Sequence, residues 1–223
     1  MAELITGLDA DRLRANLAEV RDEIAAAARR AGRVPDDVEV IAAGKYVAPG
    51  ELPVLAAAGI EAIGENRAQD LAAKVAIHGD LFAWHFIGAL QSRKVRQILP
   101  HVTLIHSLAS ESALEQLVRH AADARPGLEV LLEVDLAGEE SKSGLRPGEI
   151  GSFVERSPVP VTGLMAMPPL AADPEDSRRW FATLRELAES NDLQRLSMGT
   201  TQDFVVAVEE GATIVRIGTR MYR

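Results

Sequence analysis

Short apolar runs and longer amphipathic stretches alternate along almost the whole chain. The run 38–44 is rich in β-branched residues and is bounded by prolines and glycines, which is typical of a buried strand. Similar runs predict further strands at 62–65, 84–90, 104–108, 129–135, 161–167, 193–198 and 213–217. The stretches between them predict helices at about 50–58, 67–77, 92–99, 110–122, 148–156, 175–189 and 202–210.

A further helix is predicted before the first strand. Asp9 is a suitable N-cap, Gly32 ends the helix, and Pro35 prevents its continuation. Apolar positions recur at helical spacing, so that one face carries Leu13, Leu17, Val20 and Ile24.

Alternating strands and helices predict a parallel sheet of the α/β class. Eight strands in 223 residues predict a single (β/α)8 TIM barrel with an additional N-terminal helix, formed as one domain over residues 1–223. The alternative is an open doubly wound sheet, which usually carries G-x-G-x-x-G in its first turn. The first turn here, 44–49, reads Gly-Lys-Tyr-Val-Ala-Pro and therefore favours the barrel.

Composition narrows the class of protein. Hydrophobic residues make up 47% of the chain, enough for a sizeable core, yet the apolar runs are too short to cross a membrane. The 24 basic and 33 acidic residues give a net charge of −9, which disfavours nucleic acid as a partner. Cysteine is absent and the N-terminus lacks a signal-peptide pattern, so we expect a cytoplasmic protein without disulfides. No histidine and carboxylate grouping has the spacing of a metal site.

The first predicted strand leads into a lysine. In a TIM barrel the active groups lie at the C-terminal ends of the strands, and Lys45 stands at this end, next to an uncrowded glycine. Desolvation at a barrel mouth favours a neutral amine, and neutral lysine forms a Schiff base with an aldehyde. Taken alone, a lysine at a strand end more often simply extends into solvent.

The turns after the last two strands are suited to a phosphate group. The free N–H groups at the start of the predicted helix 202–210 attract anions. Small or hydroxyl-bearing residues lie just before this helix: Ser197, Gly199, Thr200 and Thr201. A second small turn, Gly218-Thr219, follows Arg216. Helix capping and a tight turn would explain each feature singly, but together the two turns occupy the usual phosphate position of the barrel.

A Schiff-base lysine facing a phosphate site suits a phosphorylated aldehyde, of which pyridoxal 5'-phosphate (PLP) is the obvious one. Arg216 is a candidate neighbour of the pyridine nitrogen, where its positive charge would disfavour protonation of the ring. A salt bridge within the barrel wall is the alternative role for Arg216.

Six segments together carry a resemblance to one family. They are 42–66 with its GEN triplet, WHFIG at 84–88, SKSGL at 141–145, GLM at 163–165, LSMG at 196–199 and VRIGT at 215–219. In sequence and order they resemble the pyridoxal-phosphate homeostasis protein family, once called proline synthase co-transcribed homologues, along nearly the whole chain. The resemblance implies a single barrel related to the N-terminal domain of alanine racemase, with PLP bound as an imine on Lys45. It also implies a role in vitamin B6 and amino-acid homeostasis with no established catalytic activity.

Three segments depart from the family pattern. Gly44-Lys45-Tyr46 stands where the family usually has Ser-Lys-Thr. Residues 88–94 read GALQSRK in place of GHLQSNK, and residues 197–201 read SMGTT in place of SMGMS. The lysine and a hydroxyl at Thr201 are kept, so the resemblance still implies cofactor binding.

Other residues complete the predicted site. Asn66 is a candidate for hydrogen bonding to the cofactor or for capping the next helix, and Lys142, in the polar loop 137–148, is a candidate second amine or an ordinary loop lysine. His85 and His106 fall within strands and are interpreted as satisfied core residues. The predicted cofactor-binding residues are Lys45, Asn66, Met165, Ser197, Gly199, Thr201, Arg216, Gly218 and Thr219, although methionine more often fills a barrel interior.

Two other functions remain open at this point. A PLP-dependent amino-acid racemase needs a proton donor or acceptor on both faces of its intermediate. Lys45 can serve one face, but neither Tyr46 nor Tyr222 has an evident route to the other, and the second domain of alanine racemases is expected to be missing. A Schiff-base aldolase acting on a phosphosugar would also use a barrel and a lysine. We therefore expect a monomeric PLP-binding protein without turnover, with PLP-requiring apoenzymes as candidate recipients of the cofactor.

Overall fold

The computed structural model describes residues 4–138 and 144–223. Its eight strands form a closed parallel barrel in chain order, and β1 pairs with β8, with Ile41 opposite Arg216. The strands are β1 Glu39–Ala43, β2 Ala62–Glu65, β3 Ala83–Phe86, β4 Leu104–Leu108, β5 Glu129–Glu133, β6 Val161–Met165, β7 Arg195–Thr200 and β8 Ile214–Ile217. The TIM barrel is thereby confirmed, because an open sheet would leave β1 and β8 unpaired with each other.

Helices alternate with the strands around the barrel. They are α1 Ala10–Arg30, α2 Leu52–Ala57, α3 Ala68–His78, α4 Val95–Ile98, α5 Glu111–Arg119, α6 Ile150–Arg156, α7 Arg178–Ser190, α8 Phe204–Glu209 and α9 Thr219–Tyr222. Short 3₁₀ turns lead into several of them, for example Pro49–Glu51 before α2 and Pro174–Ser177 before α7. Helix α9 was not predicted. Within the part of the chain that the structure describes, no helix has both the length and the apolar character needed to cross a bilayer.

The opening helix forms as predicted. The side chain of Asp9 accepts a hydrogen bond from the N–H of Arg12 at 2.8 Å, which satisfies one of the free donors of the first turn. The four apolar residues predicted to share a face, Leu13, Leu17, Val20 and Ile24, are all buried. The chain leaves the helix through Gly32, which has a positive φ of 68°.

Several strand boundaries differ from the prediction by one to four residues, and two of these differences have a local reason. Strand β3 ends at Phe86 rather than at residue 90, because the chain turns at Gly88 towards Asn66, where an added Cβ would lie 2.2 Å from the carbonyl oxygen. Strand β7 begins at Arg195 rather than at residue 193. Leu193 lies in the turn that follows α7, where its N–H bonds to the carbonyl of Ala188 at 2.9 Å.

Apolar side chains form two separate clusters. The first fills the barrel interior and contains Ile41, Ala62, Leu104, Leu131, Met165 and Ile214. The second lies between the sheet and the helices, where Trp84, Phe181 and Phe204 are its largest fully buried members. Because successive strand residues face opposite sides, the strands β1, β2, β4, β5, β6 and β8 contribute buried residues to both clusters.

Candidate functional site

Lys45 lies in the turn that follows β1, at the C-terminal mouth of the barrel. The N–H of Val47 bonds to the carbonyl of Gly44 at 2.9 Å and closes this turn. Lys45 is exposed, and its Nζ lies 4.7 Å from the centroid of the Tyr46 ring. The expectation of a desolvated amine is therefore wrong, because the side chain extends over Tyr46 at the surface.

A second lysine fixes the same turn from the protein interior. Lys74 on α3 is only 3% exposed, and its Nζ donates to the carbonyl of Gly44 at 2.7 Å and to the carboxylate of Glu65. Glu65 is fully buried; burial raises its pKa, and the ion pair with Lys74 opposes that rise. The pair therefore holds the peptide group that immediately precedes Lys45.

Sequence reasoning missed this contact, although a signal was present. The buried face of α3 carries Ala68, Leu71 and Lys74, so a lysine stands where the helical spacing calls for an apolar residue. Tyr222 was likewise considered only as an acid or base. Its hydroxyl donates to the carbonyl of Ala43 at 3.1 Å, and burial raises its pKa. The end of β1 is thus fixed from two sides.

The turns after β7 and β8 are joined to each other. Gly199 has a φ of 90°, and an added Cβ would lie 2.6 Å from that of Ala207, so only glycine allows α8 to approach so closely. The N–H and hydroxyl of Thr200 both donate to Asp203 Oδ1, at 2.7 and 3.1 Å, whereas Asp203, the N-cap of α8, makes no side-chain capping bond to the helix. Thr201 Oγ1 instead accepts a hydrogen bond from the N–H of Gly218 at 3.1 Å.

The turn after β8 also lies beside the end of β1. A Cβ added at Gly218 would be 3.7 Å from the Cβ of Ala43, and Thr219 follows as the exposed first residue of α9. Neighbouring strands β7, β8 and β1 therefore bring three predicted residues, Thr201, Gly218 and Lys45, to one rim of the barrel. We call this continuous edge the β7–β8–β1 rim.

Arg216 is buried just inside the mouth. It is 7% exposed, and burial lowers its pKa to about 10. Its guanidinium donates to the carbonyl and the hydroxyl of Ser197, to the carbonyl of Ala166 at 3.2 Å and to the sulfur of Met167 at 2.9 Å. The hydroxyl of Ser197 therefore lies in the interior and not in the turn. Met165 pairs in register with Ser197 and packs in the interior cluster.

The remaining predicted residues have distinct surroundings. His85 and His106 are buried and lie within hydrogen-bonding distance of each other, at 3.0 Å, which confirms that they are satisfied core residues. Asn66 is half-buried, and its Oδ1 has no hydrogen-bond partner among residues 4–138 and 144–223. A buried acceptor of this kind is a place where a ligand or an ordered water donates. Lys142 lies outside the described residues.

Cavities open at both ends of the barrel. One of about 390 Å³ lies at the C-terminal mouth, where Met167, Gly199 and Arg216 contribute to its lining. A larger one, of about 910 Å³, lies at the opposite end, around Glu39 and Arg195. Small-ligand sites typically have volumes of roughly 300–1,000 Å³, so size does not separate the two. The smaller cavity lies at the end of the barrel where active groups of TIM barrels are found. It adjoins the rim through Gly199 and Thr200, whereas Lys45, Thr201 and Gly218 do not line it.

Comparisons with known proteins give a consistent assignment. A sequence model of the alanine racemase N-terminal domain matches residues 8–223. The chain is 39% identical over 219 residues to the pyridoxal phosphate homeostasis protein of Aquifex aeolicus, covering 92% of this chain and 95% of that protein. It is 37% identical over 214 residues to the protein of the same name from Pseudomonas aeruginosa, covering 93% of each.

Solved structures show the same relationship. PipY of Synechococcus elongatus, determined with PLP bound, is 31% identical and superposes with a TM-score of 0.79 over 95% of this chain and 100% of that chain. An alanine racemase of Clostridium difficile shares the fold, with 13% identity, a TM-score of 0.72 and coverage of 96% of this chain and 57% of the racemase. The chain therefore belongs to the pyridoxal phosphate homeostasis protein family and carries the alanine racemase N-terminal domain.

Proposed function

We propose that this protein binds PLP at the C-terminal mouth of the barrel and serves PLP homeostasis by holding and releasing the cofactor. PLP, when bound, supplies an aldehyde that condenses reversibly with an amine. The observation that carries the proposal is the β7–β8–β1 rim, where the turns after β7 and β8 are hydrogen-bonded to each other and Lys45 follows the neighbouring strand β1. Relatives named for PLP homeostasis and the PLP-bound structure of PipY support it.

The residues at the mouth fit the chemical groups of PLP. Thr201 and Thr219 offer hydroxyl donors for a phosphate, Gly218 holds the Thr201 hydroxyl in place through its N–H, and Gly199 allows α8 to begin close by. Arg216 lies just inside, where its guanidinium would face the ring, and it donates to the hydroxyl of Ser197, which pairs in register with Met165. The free Oδ1 of Asn66 is an acceptor for a polar group of the ligand. Lys45 is exposed, so an aldehyde can reach its amine directly.

The decisive experiment compares the wild-type protein with Lys45→Ala. We expect wild type to take up PLP and become yellow, and borohydride to fix the cofactor covalently to the peptide that contains Lys45. Lys45→Ala should lose the imine absorption and the covalent labelling, while some non-covalent PLP binding remains. Lys94→Ala is the matched control, since Lys94 lies in the turn Ser92–Lys94 and outside the rim. Covalent labelling that persists in Lys45→Ala, or that is absent from wild type, would contradict the proposal.

The position of Tyr222 supports holding of the cofactor without turnover. Racemisation requires a second acid or base on the far face of the reacting carbon. Tyr222 is bonded to the backbone of Ala43, where it supports β1, and Tyr46 lies beside Lys45. We expect no formation of D-alanine when the PLP-loaded protein is incubated with L-alanine. Sustained racemisation would show that the protein is an enzyme.

We further propose that the protein acts as a cytoplasmic monomer and that PLP-requiring apoenzymes receive the cofactor from it. Large exposed apolar residues are spread over separate elements of the described chain, such as Val34, Ile77, Val118 and Leu170, which supports the monomer. Sedimentation velocity tests the monomer. Activation of an apoenzyme by the loaded protein, compared with activation by the same protein behind a dialysis membrane, shows whether transfer requires contact.

A further inference from the structure

A continuous series of polar side chains runs along the barrel axis through an otherwise apolar interior. Arg216 donates to the hydroxyl of Ser197, and that hydroxyl lies 2.8 Å from His106 Nδ1. His106 Nε2 lies 3.0 Å from His85 Nδ1, and His85 Nε2 lies 3.7 Å from Glu39 Oε1. We call these five residues the axial chain. It begins at the cofactor mouth and ends at the opposite end of the barrel.

The chemistry of the arginine fixes the direction of the hydrogen bonds. A guanidinium only donates, so Ser197 Oγ accepts from Arg216 and has its own hydrogen left to donate. The hydroxyl is fully buried, and His106 Nδ1 is the acceptor within reach. An Nδ1 that accepts leaves the proton of a neutral His106 on Nε2, from which it is donated to His85 Nδ1. By the same logic the proton of His85 lies on Nε2.

Both imidazoles are neutral for a physical reason. His106 is fully buried, and burial together with the nearby charges of Arg216 and Arg195 and the neighbouring His85 holds its pKa well below the usual value. Burial, aided by the charge of Arg195, lowers the pKa of His85 to about 3. Neither ring therefore carries a second proton near neutral pH, and this pattern gives the Ser197 hydroxyl an acceptor and directs the remaining N–H of His85 towards Glu39.

The axial chain ends in charged groups at the end of the barrel opposite the mouth. The distance of 3.7 Å between His85 and Glu39 is too long for a hydrogen bond, so this contact is electrostatic. Glu39 accepts a hydrogen bond from Arg195 at 3.0 Å, and Arg195 also donates to Glu129 at 2.8 Å. Burial raises the pKa of Glu39, and Arg195 opposes that rise while Glu129 and Glu61 add to it. The N–H of His85 thus faces a carboxylate that arginine holds in place.

We propose that His106 and His85 are positioning residues, which hold the hydroxyl of Ser197 and through it the guanidinium of Arg216 in one orientation at the cofactor site. The proposal rests on the proposed function in one respect, that Arg216 faces the bound ring. Neither histidine touches the cavity at the mouth. They act through Ser197, and Glu39 stabilises their protonation pattern from the other end of the barrel.

The first test uses the PLP-free protein and is independent of cofactor binding. In long-range ¹⁵N–¹H spectra of histidine-labelled protein, two of the five imidazoles should remain neutral Nε2–H tautomers from pH 5.5 to 8. His85→Gln and His106→Gln assign them, and His78→Gln, at the end of α3, is the control. An Nδ1–H tautomer at either residue, or protonation within this range, would overturn the proposal.

The second test asks whether the histidines orient Arg216. His106→Leu should move the Nε–H resonance of Arg216, weaken PLP binding about tenfold and shift the absorption of the bound cofactor. His106→Gln keeps one acceptor and one donor, and should restore affinity to within about threefold of wild type. A purely structural role predicts no rescue and no spectral shift. Wild-type affinity, absorption and Arg216 resonance in a folded His106→Leu protein would overturn the proposal.

A third variant decides the question if His106→Leu does not fold. Glu39→Gln removes the distant charge from a side chain that is 33% exposed, and it should move the resonances of His85 and Arg216 while those of His78 stay unchanged. Unchanged His85 and Arg216 resonances would overturn the proposal. If wild type itself does not bind PLP, the proposed function fails, and the spectra of the free protein still decide the positioning role.

Discussion

Lys74 and Lys45 both lie at the end of β1, but their surroundings differ. Lys74 is buried, and its amine bonds to a carboxylate and to the carbonyl of Gly44. Lys45, the next residue after that carbonyl, is exposed, and its amine lies over the ring of Tyr46. The peptide group between Gly44 and Lys45 therefore has a buried ammonium bonded to its carbonyl and is followed directly by an exposed lysine side chain.

The comparison shows that burial alone does not identify the reactive amine. A buried, charge-paired lysine is often taken as a sign of a functional site. Here that description fits Lys74, whose ammonium is fully engaged in holding the backbone. The amine that we propose for the aldehyde is the exposed one of Lys45, which follows a peptide group held by Lys74.

The largest expected effect is the loss of covalent labelling when Lys45 is replaced by a residue of the same charge. Lys45→Arg keeps a cation at the rim but has no amine that forms an imine, so borohydride labelling should disappear completely. Some non-covalent PLP binding should remain, because the phosphate turns are intact. Peptide mass spectrometry after reduction checks both points. Labelling of Lys74 in either protein would show that the two lysines are not distinct in reactivity.

The next largest effect is expected from the buried partner. Lys74→Met leaves the carboxylate of Glu65 buried without its cation, which should lower the free energy of unfolding by roughly 3–5 kcal/mol. Urea denaturation measures the loss. The double variant Lys74→Met with Glu65→Leu removes both charges and should recover most of it. A loss below about 1 kcal/mol in the single variant would mean that the pair does not support the turn.

Gly44 precedes Lys45, and its carbonyl bonds to Lys74, so adding a side chain at Gly44 tests how tightly this turn is packed. Gly44→Ser restores the residue usual in the family, yet here its Cβ would lie 2.7 Å from the Cγ2 of Ile63 and 3.0 Å from Glu65 Oε1. We expect a loss of about 1–3 kcal/mol in the free energy of unfolding from this overpacking. Gly50→Ser is the control, since a Cβ added at Gly50 would meet no atom within 4 Å. Equal thermal midpoints for the two variants would show that the β1 turn has spare room.

The smallest effect concerns the contact on the exposed side. Tyr46→Ala removes the aromatic ring from beneath the amine of Lys45, a contact worth about 0.5–1 kcal/mol at an exposed site. The affinity for PLP should therefore change by no more than about fivefold, as titration by absorbance would show. Tyr46→Phe keeps the ring and should behave as wild type. A change beyond tenfold would mean that Tyr46 takes a direct part in binding.

The sequence predicted the parts of the site that depend on local pattern. Periodicity located β1 and hence the position of Lys45 at its end, and small residues identified the turns around Gly199 and Gly218. It did not predict the contact of Lys74 with the Gly44 carbonyl, because that contact depends on how α3 packs against the barrel. It also did not reveal the axial chain. Residues from five strands meet on the axis only when the barrel closes, and no spacing along the chain encodes that meeting.

The hydrogen bond between Thr201 and Gly218 has a consequence for biosynthesis. A ribosome delivers Lys45 early, but the two turns that face it emerge only with the last strands of the barrel. A growing chain therefore exposes Lys45 long before the two turns exist, so under the proposed function PLP uptake requires the completed barrel. Contacts between such distant parts of a chain are also slow to form, so PLP uptake should follow the final step of folding.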